Sequence, residues 1–294
     1  MGPRPLALIA LFIVNLLYGI NYVVAKGLMP GVIGPSGFIL LRVLGAVVLF
    51  WGAWAVRPER VAWSDAVRLV LCAVSGVALN QLMFFHGLMR TSALHASIIM
   101  VATPILVLTM SAVLLGERLG PAKVIGVLLG AAGAMVLILF GGAVDQGASV
   151  LGDLFILINA SSFAIYLVMV KSLMLRYGAV TVMAWTFLIG AVLVLPFGTG
   201  ELLAVHWSAL SAAQAWALVF VVVGVTFVAY LLNTWALRHV DPGVVGTFIY
   251  LQPVLAATLG AFMGGPMPQG PWPWIGAAAI FTGVHLVTRR VPTR

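Results

Sequence analysis

Polar and aromatic side chains able to hold a small solute recur inside otherwise apolar stretches of this chain. One stretch carries Asn80, Gln81 and His86 with Phe84 among them; others carry Tyr230 and Asn233, Tyr250 and Gln252, and Thr103. Asn80 and Phe84 are four residues apart and share one helical face. Thr103-Pro104 and Gln252-Pro253 repeat one polar–proline step. Proline donates no N–H and clashes with the carbonyl four residues back, so it kinks a helix and frees the carbonyls of Met100 and Ile249. Such kinks either shape the helix or supply acceptors to a polar lining. Aromatic rings that bury the apolar part of a solute, with amides that fix its polar end, are the usual make-up of a small-molecule site. The residues expected to touch a solute are Asn80, Phe84, Thr103, Tyr230, Tyr250 and Gln252, bordered by Pro104 and Pro253. Helix–helix hydrogen bonding is the alternative role for each.

Other chemistry is missing. The seven acids, Glu59, Asp65, Glu117, Asp145, Asp153, Glu201 and Asp241, fall in loops or at helix ends. That disfavours a proton relay or sodium site built on buried carboxylates. There is no HExxH, CxxC or Cys/His cluster, and the single Cys72 cannot form an intrachain disulfide, so no metal is expected. No GxxxxGK[ST] motif exists, so no nucleotide cofactor is expected either. No set of residues reads as catalytic, and the chain is not expected to be an enzyme. Arg42, inside an apolar run, could bind a substrate carboxylate, snorkel toward the membrane surface or pair with helix carbonyls. His86, His95 and His285 could carry protons or serve as hydrogen-bonded structural groups.

The elements that position these residues follow from composition. The 294 residues are 63% hydrophobic and only 7% charged, against about 25% charged in a soluble domain. A net charge of +8 spread over so apolar a chain forms no dense basic stripe, which excludes nucleic-acid binding. Long runs apolar on every side, such as 124–140 and 217–232, exclude the alternating strands of a membrane barrel. The fold class is an all-α membrane protein. Its ten transmembrane helices are expected at 6–24, 35–56, 66–89, 93–115, 122–141, 151–171, 179–197, 213–237, 243–264 and 272–288. The first run exceeds a signal-peptide core and reads as a span. Ser92 and Asp241-Pro242 read as starts of the fourth and ninth spans. Membrane lipid is the surrounding partner. Gly126, Gly130 and Gly133 allow close packing within one chain, so a monomer is expected.

Lys and Arg set the orientation. With a cytoplasmic N-terminus, inner segments hold twelve of them, including Arg57, Arg60, Arg68, Arg118, Lys123, Lys171 and Arg176. Outer segments hold only Lys26 and Arg90. Both termini are therefore expected inside. Trp207, Trp216, Trp272 and Trp274 fall at the outer boundary and Trp51, Trp54, Trp63 and Trp235 at the inner one, as aromatic anchors.

The halves echo each other. Gly19-Ile20-Asn21-Tyr22-Val23-Val24-Ala25-Lys26 matches Ala164-Ile165-Tyr166-Leu167-Val168-Met169-Val170-Lys171, and Gly45-Ala46-Val47 matches Gly190-Ala191-Val192. Leu88-Met89-Arg90 pairs with Ala236-Leu237-Arg238, Thr103-Pro104 with Gln252-Pro253, and Ile125-Gly126 with Ile275-Gly276. Each repeat, 1–145 and 146–294, holds five expected spans, so the second copy must enter the membrane upside down. Two inverted five-helix repeats around a midplane site are a hallmark of secondary transporters.

The same residues, with Pro104 followed by Leu115-Gly116-Glu117-Arg118, resemble the EamA family of the drug/metabolite transporter superfamily. The resemblance spans nearly the whole chain and is strongest to YddG-type bacterial amino-acid exporters. Gly264-Gly265-Pro266 departs from the family's Leu-Gly-Glu in the second repeat. The resemblance implies an exporter of small metabolites, amino acids with aromatic or other hydrophobic side chains first, in the bacterial inner membrane. It also implies a cavity ringed by helices 1, 3, 4, 6, 8 and 9. In intact cells carrying a Cys72-free variant, a cysteine at position 146 should react with an external impermeant reagent and one at position 60 should not; the reverse pattern refutes the topology.

Overall fold

A computed structural model describes residues 2–91, 96, 99–117, 119–140, 149–252, 254–255, 258 and 270–288. Pro253, Ser92, His95, Arg118 and the 264–266 segment lie outside the described residues, as do the side chains of Tyr22 and Lys26. Among the described residues every regular element is helical: α1 (Pro3–Leu28), α2 (Pro35–Val56), α3 (Trp63–Leu88), α4 (Thr103–Leu115), α5 (Pro121–Phe140), α6 (Val150–Met174), α7 (Ala179–Leu203), α8 (Ala212–Leu237), α9 (Pro242–Thr247) and α10 (Trp272–Thr288). α1, α2, α3, α6, α7 and α8 are each long and apolar enough to cross a bilayer.

Several boundaries have a visible cause. Pro3, Pro35 and Pro242 open α1, α2 and α9 within the first helical turn, where their missing N–H costs nothing. Ser211 and Gln214 form a capping box at the start of α8. Asp241 precedes α9 but its carboxylate does not cap it; it pairs with Lys123 Nζ at 2.9 Å. α7 was expected to stop at 197, yet it runs through Pro196 to Leu203. Gly198 allows that final stretch to lie against Leu40 and the Ser36 carbonyl of α2. Membrane helices tolerate an internal proline where neighbours compensate.

Two antiparallel pairs are packed through small residues. A methyl added to Gly126 of α5 would lie 2.7 Å from the Gly283 carbonyl oxygen of α10, and one on Gly133 would lie 2.6 Å from that of Gly276. The glycines of α5 therefore serve packing inside the chain. α2 and α7 also run antiparallel, and each helix start is held by a carboxylate from beyond the other helix's far end or within its last turn. Glu201 Oε2 accepts from Gly37 N at 2.8 Å, and Glu59 Oε2 accepts from Gly178 N at 2.8 Å. The free N–H groups and positive dipole of a helix N-terminus favour a carboxylate there.

Gly45 and Gly190 occupy matching places on this pair. Gly45 admits Val222 of α8 and Gly190 admits Val77 of α3, each closer than a Cβ would allow. Val222 and Val77 belong to wide π-helical turns, Phe220–Val228 in α8 and Val74–Ala78 in α3. The sequence match of the two Gly-Ala-Val segments thus corresponds to one packing demand met twice.

Loops 57–65 and 175–178 share one end of the bundle, joined by Asp65, which pairs with Arg176 at 2.9 Å and Arg68 at 2.8 Å and accepts from the Tyr177 hydroxyl at 2.8 Å. Lys171 Nζ donates to the Leu237 and Val240 carbonyls at 2.5 and 2.8 Å, closing the end of α8 with a cation. Arg4 Nη2 reaches the Thr288 carbonyl at 2.8 Å, so α1 begins beside the end of α10. Trp63, Trp207, Trp216, Trp272 and Trp274 are exposed. Trp51 contacts Trp54 and Trp185, and Trp51 Nε1 donates to the Ala184 carbonyl at 3.1 Å.

Replacing Gly133 by Leu should destabilise the detergent-solubilised protein by about 1–3 kcal/mol, the range of overpacked cores. The same change at Gly52, where an added Cβ meets nothing within 4 Å, should be near neutral in the same thermal unfolding measurement.

Candidate functional site

A cavity lies between the helices. Its lining comprises Val14, Asn15, Tyr18 and Asn21 of α1, Arg42 of α2, Asn80, Gln81, Phe84 and Phe85 of α3, Asn159 and Phe163 of α6, Tyr230 and Asn233 of α8, and Val245 of α9. Met100, Ile249 and Gln252 complete it. About 110 Å³ is open to the centre of a water molecule, well above the ~10–15 Å³ that one water needs.

Each departure from α-helical geometry has a consequence here. In α3 the Ser75 hydroxyl returns to the Leu71 carbonyl at 2.6 Å, while the Ser75 carbonyl accepts from Ser162 of α6 at 2.6 Å. The Tyr230 hydroxyl reaches the Gly76 carbonyl at 3.4 Å. A Cβ on Gly76 would overlap the Tyr166 ring, so only glycine lets α6 approach this turn. In α8, Thr226 donates to the Val221 carbonyl five residues back at 2.8 Å and accepts from Arg42 Nε at 3.0 Å. A turn at Val101–Ala102 precedes Thr103-Pro104, and a 3-10 turn, Phe248–Tyr250, precedes Gln252. Met100 and Ile249, the residues whose carbonyls the two prolines were expected to free, both line the cavity.

Four of the six residues expected to meet a solute, Asn80, Phe84, Tyr230 and Gln252, are on this lining. The other two are not. Tyr250 is 1% exposed, donates to the Val101 carbonyl at 3.2 Å and packs on Gly130 of α5. Thr103 is fully buried and its hydroxyl faces Met100 Sδ at 3.9 Å. The reason is register: Tyr250 and Thr103 stand on the outer side of their broken turns, where they tie one irregular segment to its neighbours. Pro104 opens α4 after the break; Pro253 lies outside the described residues.

Asn159 and Phe163 were missed, although they repeat on α6 the four-residue Asn–Phe spacing of Asn80 and Phe84 on α3. Asn159 Nδ2 donates to the Asn80 carbonyl at 2.8 Å. Gln252 Nε2 donates to Asn15 Oδ1 at 2.9 Å, and Asn15 Nδ2 to the Leu11 carbonyl at 2.7 Å. Arg42, whose role the sequence left open, turns inward: it is 4% exposed and its guanidinium carbon stands 5.3 Å from the Phe85 ring centre and 5.6 Å from that of Phe38. Such cation–π contacts contribute about 0.5–2 kcal/mol. His86 is off the lining, with Nε2 2.8 Å from the Ser36 hydroxyl.

Some cavity amides are incompletely satisfied. Asn21 Oδ1, Asn159 Oδ1 and both amide atoms of Gln81 are buried with no hydrogen-bond partner. An unmet buried polar group costs about 1–3 kcal/mol.

The described residues form an all-helical bundle around a largely apolar cavity edged by amides, hydroxyls and one guanidinium. The chain belongs to the EamA-like transporter family, whose model matches residues 5–139 and again 150–289. It is 27% identical over 257 residues to an uncharacterized transporter of Archaeoglobus fulgidus, covering 86% of each chain. It is 25% identical over 259 residues to a probable terminal-alkyne amino-acid exporter of Streptantibioticus cattleyicolor, covering 87% of this chain and 85% of that one. A crystal structure with TM-score 0.79 and 23% identity covers 97% of both chains and shares the fold.

Tyr250→Phe should lower thermal stability by about 1 kcal/mol through loss of the bond to Val101, while leaving solute competition profiles unchanged. A changed profile at unchanged stability would return Tyr250 to the solute site.

Proposed function

We infer that the protein is a secondary transporter that exports small amphipathic metabolites, foremost amino acids with aromatic or other hydrophobic side chains, by alternating access. The observation that carries this reading is the cavity, ringed by α1, α2, α3, α6, α8 and α9, in which amides and aromatic rings face one space. Asn80, Phe84, Tyr230 and Gln252 contact the solute. Rings enclose its apolar side chain, and amides replace the water its polar end must shed.

The antiparallel pairing of α2 with α7 and α5 with α10 supports two inverted repeats, since each pair joins the same position of both halves. Matching residues also share the cavity: Tyr18 with Phe163, Phe85 with Asn233, and Met100 with Ile249. Pseudo-symmetry of this kind gives two states of similar energy that open to opposite sides. Both termini are cytoplasmic, by the basic residues of loops 57–65 and 175–178, and the membrane is the bacterial inner membrane. Other small metabolites or drug-like solutes are the second substrate class.

In proteoliposomes, labelled phenylalanine should enter by saturable counterflow, and Asn80→Ala and Gln252→Ala should each reduce it about tenfold, one hydrogen bond to a charged solute group being worth about 1.5–3 kcal/mol. Flux without saturation or countertransport would indicate a channel. Wild-type flux and competition in both variants would make these residues structural.

A further inference from the structure

We propose that Arg42 is the carboxylate anchor of the transported solute, so that the cavity selects monocarboxylates with an apolar body and rejects amines that lack the acid. This rests on the reading of the cavity as the solute site and names the chemical class it takes.

Among the described lining residues Arg42 alone carries a formal charge, and none is Asp or Glu. A guanidinium buried to 4% exposure in a bundle that faces hydrocarbon needs a partner. Its described contacts hold it without neutralising it. Nε donates to Thr226 Oγ1 at 3.0 Å, and the rings of Phe38 and Phe85 flank the guanidinium carbon. Thr226 is itself fixed by donating to the Val221 carbonyl at 2.8 Å. The side chain is therefore oriented from its Nε edge, which leaves the paired Nη groups for a planar acceptor. A carboxylate matches that fork with two parallel hydrogen bonds and cancels the charge. An ammonium would pair with the same anion as a point charge without the two-pronged fit, and a neutral amide would leave the charge uncancelled.

A second observation concerns the other end of the solute. Asn21, Gln81 and Asn159 are on the same lining, each more than nine-tenths buried. Their side-chain oxygens lack a partner but are closed off in this conformation, so an amide rotation must present them to a solute. Those oxygens are acceptors, and an α-ammonium group brings three donors. A zwitterion thus has its carboxylate on Arg42 and its ammonium on the amides. A deaminated acid keeps the stronger contact and loses the weaker set. Thr226 is a positioning residue that aims Arg42.

The test uses purified full-length protein and three probes of one skeleton: L-phenylalanine, 3-phenylpropionate, which lacks the ammonium, and phenethylamine, which lacks the carboxylate. Thermal stabilisation should follow phenylalanine and 3-phenylpropionate, with phenethylamine at least about tenfold weaker. Arg42→Gln should abolish the preference for the acids, and Arg42→Lys should keep part of it. Thr226→Val should weaken acid binding and leave phenethylamine unchanged. Equal stabilisation by amine and acid, an undiminished acid preference in Arg42→Gln, or no stabilisation by any of the acids would overturn the proposal. If Arg42→Gln does not fold, the wild-type ranking of the three probes and the Arg42→Lys profile decide. Arg42-dependent acid binding without phenylalanine counterflow would leave the anion subsite standing and remove the amino-acid exporter reading instead.

Discussion

Inside hydrocarbon, every backbone or side-chain polar group has to find its partner within the protein, and the architecture of this chain follows from that constraint. Among the described residues, the helices beside the cavity break regular α-helical bonding at the π turns of α3 and α8, the turn before α4 and the 3-10 turn after α9. The carbonyls they release are met by Ser162, Tyr230 and Tyr250, side chains sent from other helices. The lipid-facing surfaces of α5, α8 and α10 are left to residues such as Ile125, Leu128, Trp216 and Ile275, which have no polar group to satisfy or are aromatic anchors.

The scaffold that makes this possible is stiff where it does not need to move. α5 and α10 approach until backbone carbonyls touch glycines, so neither can slide without a clash. α2 and α7 are locked at both ends by Glu201 and Glu59, charge-assisted bonds to helix starts. Between these pairs, α3 and α6 meet through the Ser162–Ser75 and Asn159–Asn80 bonds, and α6 meets α8 through Tyr166–Thr234 and Lys171–Leu237. The π turns are wider than an α-helix and supply local joints, a common companion of functional sites. Rigid pairs flanking jointed helices would suit the alternating access proposed for this transporter.

Much of this was legible in the sequence because two strong signals coincide: apolar runs long enough to span a bilayer and an internal repeat. The Gly45 and Gly190 match marked a true packing equivalence, and Asn80, Phe84, Tyr230 and Gln252 declared themselves as polar or aromatic groups at membrane depth. What was hidden depends on register within a turn. Tyr250 and Gln252 are two residues apart and so face opposite sides of any helical turn, Tyr250 toward Val101 and Gln252 toward Asn15. Nothing in composition announces a π turn, so the inward aim of Thr226, and with it that of Arg42, was unreadable. Asn159 was overlooked although its spacing to Phe163 copies a pair already noticed. Asp241 illustrates the opposite error: a good capping residue by type, it answers to Lys123 instead, because a nearby cation outweighs a neutral N–H.

The proposed transport requires that a single cavity face each side of the membrane in turn. Asn233→Cys in a Cys72→Ala background, reconstituted in one orientation, measures it with an impermeant thiol reagent added to either side. Reaction from both sides, slowed on each by saturating phenylalanine, is the predicted result. Reaction from one side alone, or at a rate indifferent to the solute, would contradict it.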